Sequence, residues 1–416
     1  MKWMVSSVTS SGLALLLAVN MAVAAEVTWP SFQWSEPNNA PVLKELKRSF
    51  EQDNPGVTVK DLAVPPAVFW DKQMADTIAG NPPDVITLYD PEIRQYIEAD
   101  LLEPLDKYYA QAGVATDSLV PTARLAKKDG KIYGVPFQVG ARALFYNQKL
   151  LDDAGLKPPK DVDELLDAIR KLRKPDAQQF GFMTMSKPGN QSVAYIEVNA
   201  LVVGFGGGFF KDGKPSASAP QTVAALKFLK TLYDEGLIPR GMDSNAYRQL
   251  FIQGKVAMYA TGPFIAGIVA KEKPETYANL RAIPLPLPGN TTMAVTVFLA
   301  VPKAAKNKDL AAKLIMRMLR DDMQTSIVTV GKTFPGRPGF VPANFILENP
   351  WFKAIEEASL SAKTYAPEGA EQYGAEVVKI VGEHIEAMLF KNVSADETGK
   401  NLQAALEEFI ATKPKE

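Results

Sequence analysis

From about residue 26 onward the chain alternates short β-patterned runs with helical ones, and this alternation restricts the possible folds more than any other feature. Val27-Thr-Trp29 reads as a first strand, with Phe32-Gln-Trp34 as its exit loop. Val42, Leu43, Leu46 and Phe50 then recur at helical spacing until Asn54-Pro-Gly56 stops them. Val57-Thr-Val59 is a second strand, and Met74 and Ile78 share a helix face ended by Gly80-Asn-Pro-Pro83. Asp84-Val-Ile-Thr-Leu88 is a third strand. A β-α-β-α-β order predicts an open, mostly parallel sheet with helices on both faces, an α/β fold.

The same character returns further on. Arg142-Ala-Leu-Phe-Tyr146, Val256-Ala-Met-Tyr-Ala260 and Ala294–Val301 read as strands, and Val162, Leu165, Leu166, Ile169 and Leu172 mark an amphipathic helix. The C-terminal third is helical around Leu314–Leu319, Val377–Met388 and Leu402–Ile410. At 416 residues the chain can bury two cores. Proline-bearing segments at Tyr133-Gly-Val-Pro136, Ile283–Pro288 and Phe334–Pro338 are places where it could cross between two lobes, or ordinary surface loops.

Lys2 is the only charge before Glu26, Gly12–Val19 is a short apolar run, and Ala22, Ala24 and Ala25 follow it. A charged start, an apolar core and a small-residue exit predict a secretory signal peptide over residues 1–25, cleaved after Ala24 or Ala25. The apolar run is too short to span a bilayer comfortably. There is no cysteine, which excludes disulfides, thiolate metal sites and a lipid-bearing cysteine. The expected product is soluble and exported to the periplasm. A formal net charge of −1 gives no basis for binding nucleic acid.

The chemistry-bearing residues favour capture over catalysis. His384 is the only histidine, on a helical pattern, with no Gly-x-Ser-x-Gly elbow to complete a triad. No Asp-x-Asp-x-Asp-Gly loop is present for calcium, and no cofactor or metal is expected. A pair among the 47 acidic residues could still run glycoside hydrolysis, which keeps a secreted carbohydrate-active enzyme as an alternative. A site for neutral polyols needs aromatic planes for sugar faces and planar polar groups for hydroxyl edges, placed beyond strand ends. Trp34 with Glu36, Tyr89 with Asp90, and Gly262 with Phe264 stand at such ends.

The stretch Gly206-Gly-Gly-Phe-Phe-Lys-Asp-Gly-Lys-Pro215 imitates a phosphate-binding loop from Gly208 onward. Pro215 takes the place of the required hydroxyl residue, and a helix instead of a strand precedes the glycines. The prediction is a helix stop at the glycines followed by a tight Asp-Gly hairpin turn.

Several stretches, in order, carry a family resemblance. They are Ala79–Val85, Leu102–Asp106, Gly130–Pro136, Leu144–Leu151 with Ala154–Leu156, Phe251–Met258 with Gly262-Pro-Phe264, and Leu299–Lys303. Over most of the mature chain the sequence resembles the extracellular solute-binding proteins of ABC importers, in the group that includes maltose-binding protein. The resemblance implies a two-lobed periplasmic-binding-protein fold of type II with the ligand in the cleft between lobes. It implies crossings near 134–139, 282–288 and 334–340, with lobe 1 over 26–136 and 285–337 and lobe 2 over 137–284 and 338–416. It implies a monomer that captures a carbohydrate, an oligosaccharide or glycoside, and delivers it to the membrane permease subunits of an ABC transporter.

Cleft positions carry over to Trp34, Tyr89, Asp90 and Phe264, with Glu36, Gln138 and Gly262 beside them. Many sugar-binding relatives have Trp at the Phe264 position, so here the indole N–H is lost. Arg142 and Arg337 sit beside the first and third crossings. They either grip the ligand or make ion pairs between lobes. If they grip it, an anionic solute such as a glycerol phosphodiester or acidic sugar is the alternative ligand. Tyr195 and Asn199, four apart on one helix, are further candidates.

Overall fold

The computed structural model describes residues 25–413 except 186 and 190. The signal-peptide expectation therefore falls, apart from Ala25, outside the described residues.

Strand β1 (Ala25–Ser31) pairs in parallel with β2 (Val57–Ala63), and α1 (Ala40–Asp53) connects them. The helix buries Val42, Leu43, Leu46 and Phe50, the four residues whose spacing marked it. Helix α2 (Pro66–Ile78) leads to the short β3 (Ile86–Leu88), and α3 (Asp90–Glu98) follows. Strands β4 (Val135–Ala141) and β5 (Ala143–Asn147) are separated by Arg142 alone. Next come α4 (Val162–Leu172), β6 (Phe180–Met183), α5 (Gln191–Gly204), α6 (Pro220–Asp234) and α7 (Ser244–Ile252). Strand β7 (Val256–Thr261), α8 (Phe264–Glu272), β8 (Leu280–Ile283) and β9 (Met293–Ala300) continue the chain. The last labelled elements are β10 (Phe334–Pro335), β11 (Lys363–Thr364), α9 (Gly374–Phe390) and α10 (Ala395–Ala411).

Two larger sheets organise these elements. One has the order β10-β4-β9-β11, with β3 also pairing β9; the other runs β8-β5-β7-β6. The two-lobed α/β architecture is as expected, but the pairing is mixed instead of mostly parallel. Among the described residues, only β1·β2, β7·β6 and β9·β11 are parallel, while β3, β4 and β10 join their sheet antiparallel. The cause is the connectivity: β9 returns from the other sheet, where β8 lies, and inserts against β4 and β3 from the opposite direction.

The passages between sheets differ in detail from the proline-based placement. Ala141 still pairs with Ala294 in the first sheet and Ala143 already pairs with Thr261 in the second, so the first passage falls at Arg142. The second, between β8 and β9, includes 284–288. Phe334–Pro335 and Lys363–Thr364 both belong to the first sheet, so the last change follows Thr364 and not 334–340. Strand pairing depends on partners about 150 residues away, which local proline content does not encode.

The glycine stretch has the local structure its sequence predicts. Gly206, with φ 82°, ends α5, and its N–H donates to Val203 O while Gly207 N–H donates to Val202 O. That pair of bonds satisfies the last carbonyls of the helix in a Schellman arrangement. Asp212 and Gly213, both at positive φ, form the two-residue turn between Phe210–Lys211 and Lys214–Pro215.

Candidate functional site

Two cavities flank α5. The larger, about 480 Å³, is walled by Tyr195, Asn199, the glycine run, Arg124 and Lys363. The smaller, about 260 Å³, lies where the ends of β1, β3 and β7 meet β4 and β9. It receives Gln33 and Glu36 from beyond β1, Tyr89 from beyond β3, and Pro263 and Phe264 from beyond β7. Gln138, Arg142, Ile196, Arg248 and Thr333 complete its wall. Residues beyond strand ends converge because each β-to-α connection emerges at the same edge of its sheet.

The polar groups of the smaller cavity are held in place but incompletely bonded. Asn39 Nδ2 donates to Glu36 Oε2 at 2.7 Å, and burial raises the Glu36 pKa against that bond and the charge of Arg248. Gln33 Oε1, Gln138 Oε1 and Arg248 Nε are buried with no hydrogen-bond partner. The Arg142 guanidinium finds no protein acceptor among the described residues, and burial lowers its pKa. Arg248 lies over the Phe264 ring, 5.3 Å from its centroid. A Cβ at Gly262 would come within 2.6 Å of Arg142 Nη1, so the glycine leaves the guanidinium in its present position. Tyr89 packs at a tilt against Trp70 at 4.7 Å, and the series continues edge-on through Phe69 to Phe32.

Behind the two arginines stands Glu197 on α5. Thr184 Oγ1 and Met185 N–H donate to its Oε2, and the hydroxyls of Tyr247 and Tyr259 donate to its Oε1. These donors fill the carboxylate, which supports both arginines by charge alone.

Of the residues singled out from sequence, Glu36, Tyr89, Gln138, Arg142 and Phe264 meet at the smaller cavity, with Gly262 against Arg142. The other five lie elsewhere. Trp34 belongs to the core: its indole N–H donates to Trp29 O at 2.8 Å and its ring packs edge-on against Trp29. Asp90 is fully buried, accepting from Thr296 N–H at 2.8 Å and Tyr365 N–H at 3.3 Å, and burial holds its pKa well above the carboxylate range. It ties β3's exit to β9, a structural role. Arg337 donates to Leu319 O and Asp321, and stacks on Phe340, away from both cavities. Tyr195 and Asn199 line the larger cavity, but both donate to Tyr365 O, at 3.0 and 3.3 Å.

Gln33, which the sequence places beside Trp34 beyond β1, is a cavity residue, while Asn38, Arg248 and Thr333 are cavity residues that the sequence reading missed. Asn38 carries a signal, since it lies two residues from the candidate Glu36. Arg248 and Thr333 carry none, since a charged residue within a helix ordinarily faces solvent.

The fold and the convergent cavity define a two-lobed α/β binding protein. The family profile described as bacterial extracellular solute-binding protein matches residues 34–325, and this chain belongs to that family. A binding protein of Brucella abortus (strain 2308) is 30% identical over 342 residues, which are 80% of this chain and 80% of that one. The galactooligosaccharide-binding protein of Bacillus subtilis (strain 168) is 28% identical over 56% of this chain and 54% of its own. Maltose-bound T. maritima MalE3 has the same fold, with a TM-score of 0.80 at 21% identity, covering 93% of this chain and 100% of that one.

Proposed function

We propose that this chain is the carbohydrate-capturing component of an ABC importer, with the ligand held in the cavity built around Tyr89, Gln138, Arg142 and Phe264. The observation that carries this reading is the set of buried, unpartnered polar atoms on Gln33, Gln138 and Arg248, all facing one space. Buried polar groups are almost always bonded, and each orphan costs about 1–3 kcal/mol. Ligand hydroxyls, which donate and accept, offset that cost, while Tyr89 and Phe264 offer rings to a sugar's C–H faces. The family and its oligosaccharide-binding relatives support the ligand class. A cavity of 260 Å³ is at the small end for such sites and favours a compact sugar or glycoside over a long chain.

Export rests on the signal pattern at residues 1–25, which fits delivery to the periplasm and to permease subunits on other chains. The lobes divide as the sheets do: 25–141 with 293–364, and 143–283 with 365–413. The protein acts as a monomer by capturing its ligand between them, and the chemistry is binding only.

A thermal-shift panel of monosaccharides, disaccharides and glycosides tests this reading. A true ligand at one hundred times its Kd raises stability by about 2.7 kcal/mol. Failure of every carbohydrate to shift the transition, or conversion of a bound one to product, would remove it.

A further inference from the structure

The smaller cavity holds two guanidinium groups and no lysine. Arg142 is 8% exposed and its guanidinium donates to no described protein acceptor; Arg248 reaches the Tyr259 hydroxyl, but its Nε is buried without a partner. The two carboxylates near them act on this pair by charge and not by hydrogen bonds. Glu197 already accepts from Thr184, Met185, Tyr247 and Tyr259, so its acceptor positions are filled. Glu36 is engaged by Asn39. Two guanidiniums therefore share a water-poor space, their charge balanced by Glu197 and Glu36 but with donor nitrogens left without a carboxylate acceptor. The absence of a side chain at Gly262 leaves room for the Arg142 fork.

A neutral hydroxyl accepts from one donor of a fork at a time. A carboxylate or phosphate accepts from two at once, in the paired geometry that guanidinium favours. The remaining wall, with the amides of Gln33 and Gln138 and the hydroxyl of Thr333, suits the neutral part of a sugar.

We propose that the ligand of this cavity is an acidic carbohydrate whose carboxylate or phosphate sits between Arg142 and Arg248. This rests on the cavity being the carbohydrate site. The inner position of Arg142, at the passage between the sheets, places the acidic group at the hinge side, with the sugar ring toward Tyr89 and Phe264.

Calorimetric titration of the full mature chain with three matched panels tests it: free hexoses and disaccharides, the corresponding uronic acids, and the corresponding sugar phosphates. The best acidic member is expected to bind at least about 30-fold more tightly than its neutral parent, as for a buried charge pair. Comparison of the uronic acids with the phosphates identifies which anion is taken. Arg248→Gln should remove most of that preference and Arg248→Lys, which keeps charge but loses the fork, should restore part of it. Melting of each unliganded variant shows whether it is folded. A neutral sugar binding more tightly than its acidic forms, unaffected by Arg248→Gln, overturns the proposal and leaves carbohydrate capture standing. No binding in any panel overturns both.

Discussion

The two cavities beside α5 differ in a way that their sizes do not reveal. Several wall groups of the larger are already bonded: Tyr195 and Asn199 share the Tyr365 carbonyl, and the Ser216 hydroxyl donates to Gly208 O. Two of its cations also have partners, with Arg124 3.6 Å from Glu371 and Lys363 3.7 Å from Glu368. The smaller contains amide and guanidinium atoms with no protein partner at all. A wall whose hydrogen bonds are complete has little left to offer a ligand. One left incomplete under burial is stable only if something else completes it. Unsatisfied polar atoms are therefore a better guide to the site than volume.

The largest expected effect separates the site from the core behind it. Trp34→Ala should lower stability by about 3–5 kcal/mol, as for a buried aromatic truncation, measured by urea denaturation. The folded fraction should keep its ligand affinity. A lost affinity with unchanged stability would return Trp34 to the site.

Glu92 is next in size. It stands at the start of α3 near Tyr89, with Oε2 buried and unpartnered, and burial raises its pKa to about 7. A raised carboxyl pKa means that the folded state holds a proton the unfolded chain gives up near 4.5. Its contribution is full below that value and is lost as pH rises through about 7. The loss is on the order of 3–4 kcal/mol at most, at 1.36 kcal/mol per unit. Glu92→Gln should flatten stability between those pH values, and an unaltered slope would show that Glu92 titrates normally.

A matched pair of substitutions then tests the two cavities directly. Gln138→Leu should weaken binding about 10- to 100-fold, the worth of about 1–3 kcal/mol, without lowering the melting temperature. Asn199→Leu should do the reverse, lowering stability by about 1 kcal/mol at unchanged affinity. If the affinities respond the other way round, the larger cavity is the site. The smallest effect is in the hairpin, where Gly213→Ala at φ 74° should cost about 1 kcal/mol and leave binding as it was.

Much of this was legible in the sequence because it is local. The spacing of Val42, Leu43, Leu46 and Phe50 requires a helix that buries those four, whatever they pack against. Gly206 and the Asp212-Gly213 pair supply backbone conformations that other residues resist, so the helix stop and hairpin follow from the chain itself. The positions of Tyr89 and Phe264 just beyond strands were likewise visible.

Only the tertiary structure decided which of the similar candidates face the smaller cavity. Trp34 and Tyr89 both follow a strand, yet one indole turns inward to Trp29 while the phenol ring faces the cavity. Arg142, Arg248 and Arg337 look alike in the sequence, but Arg337 is claimed by Leu319 and Asp321, whereas Arg142 and Arg248 meet across about a hundred residues of chain. Local periodicity sets which way a backbone runs. Where a side chain ends depends on acceptors brought from distant segments, and these have no trace in the residues beside it.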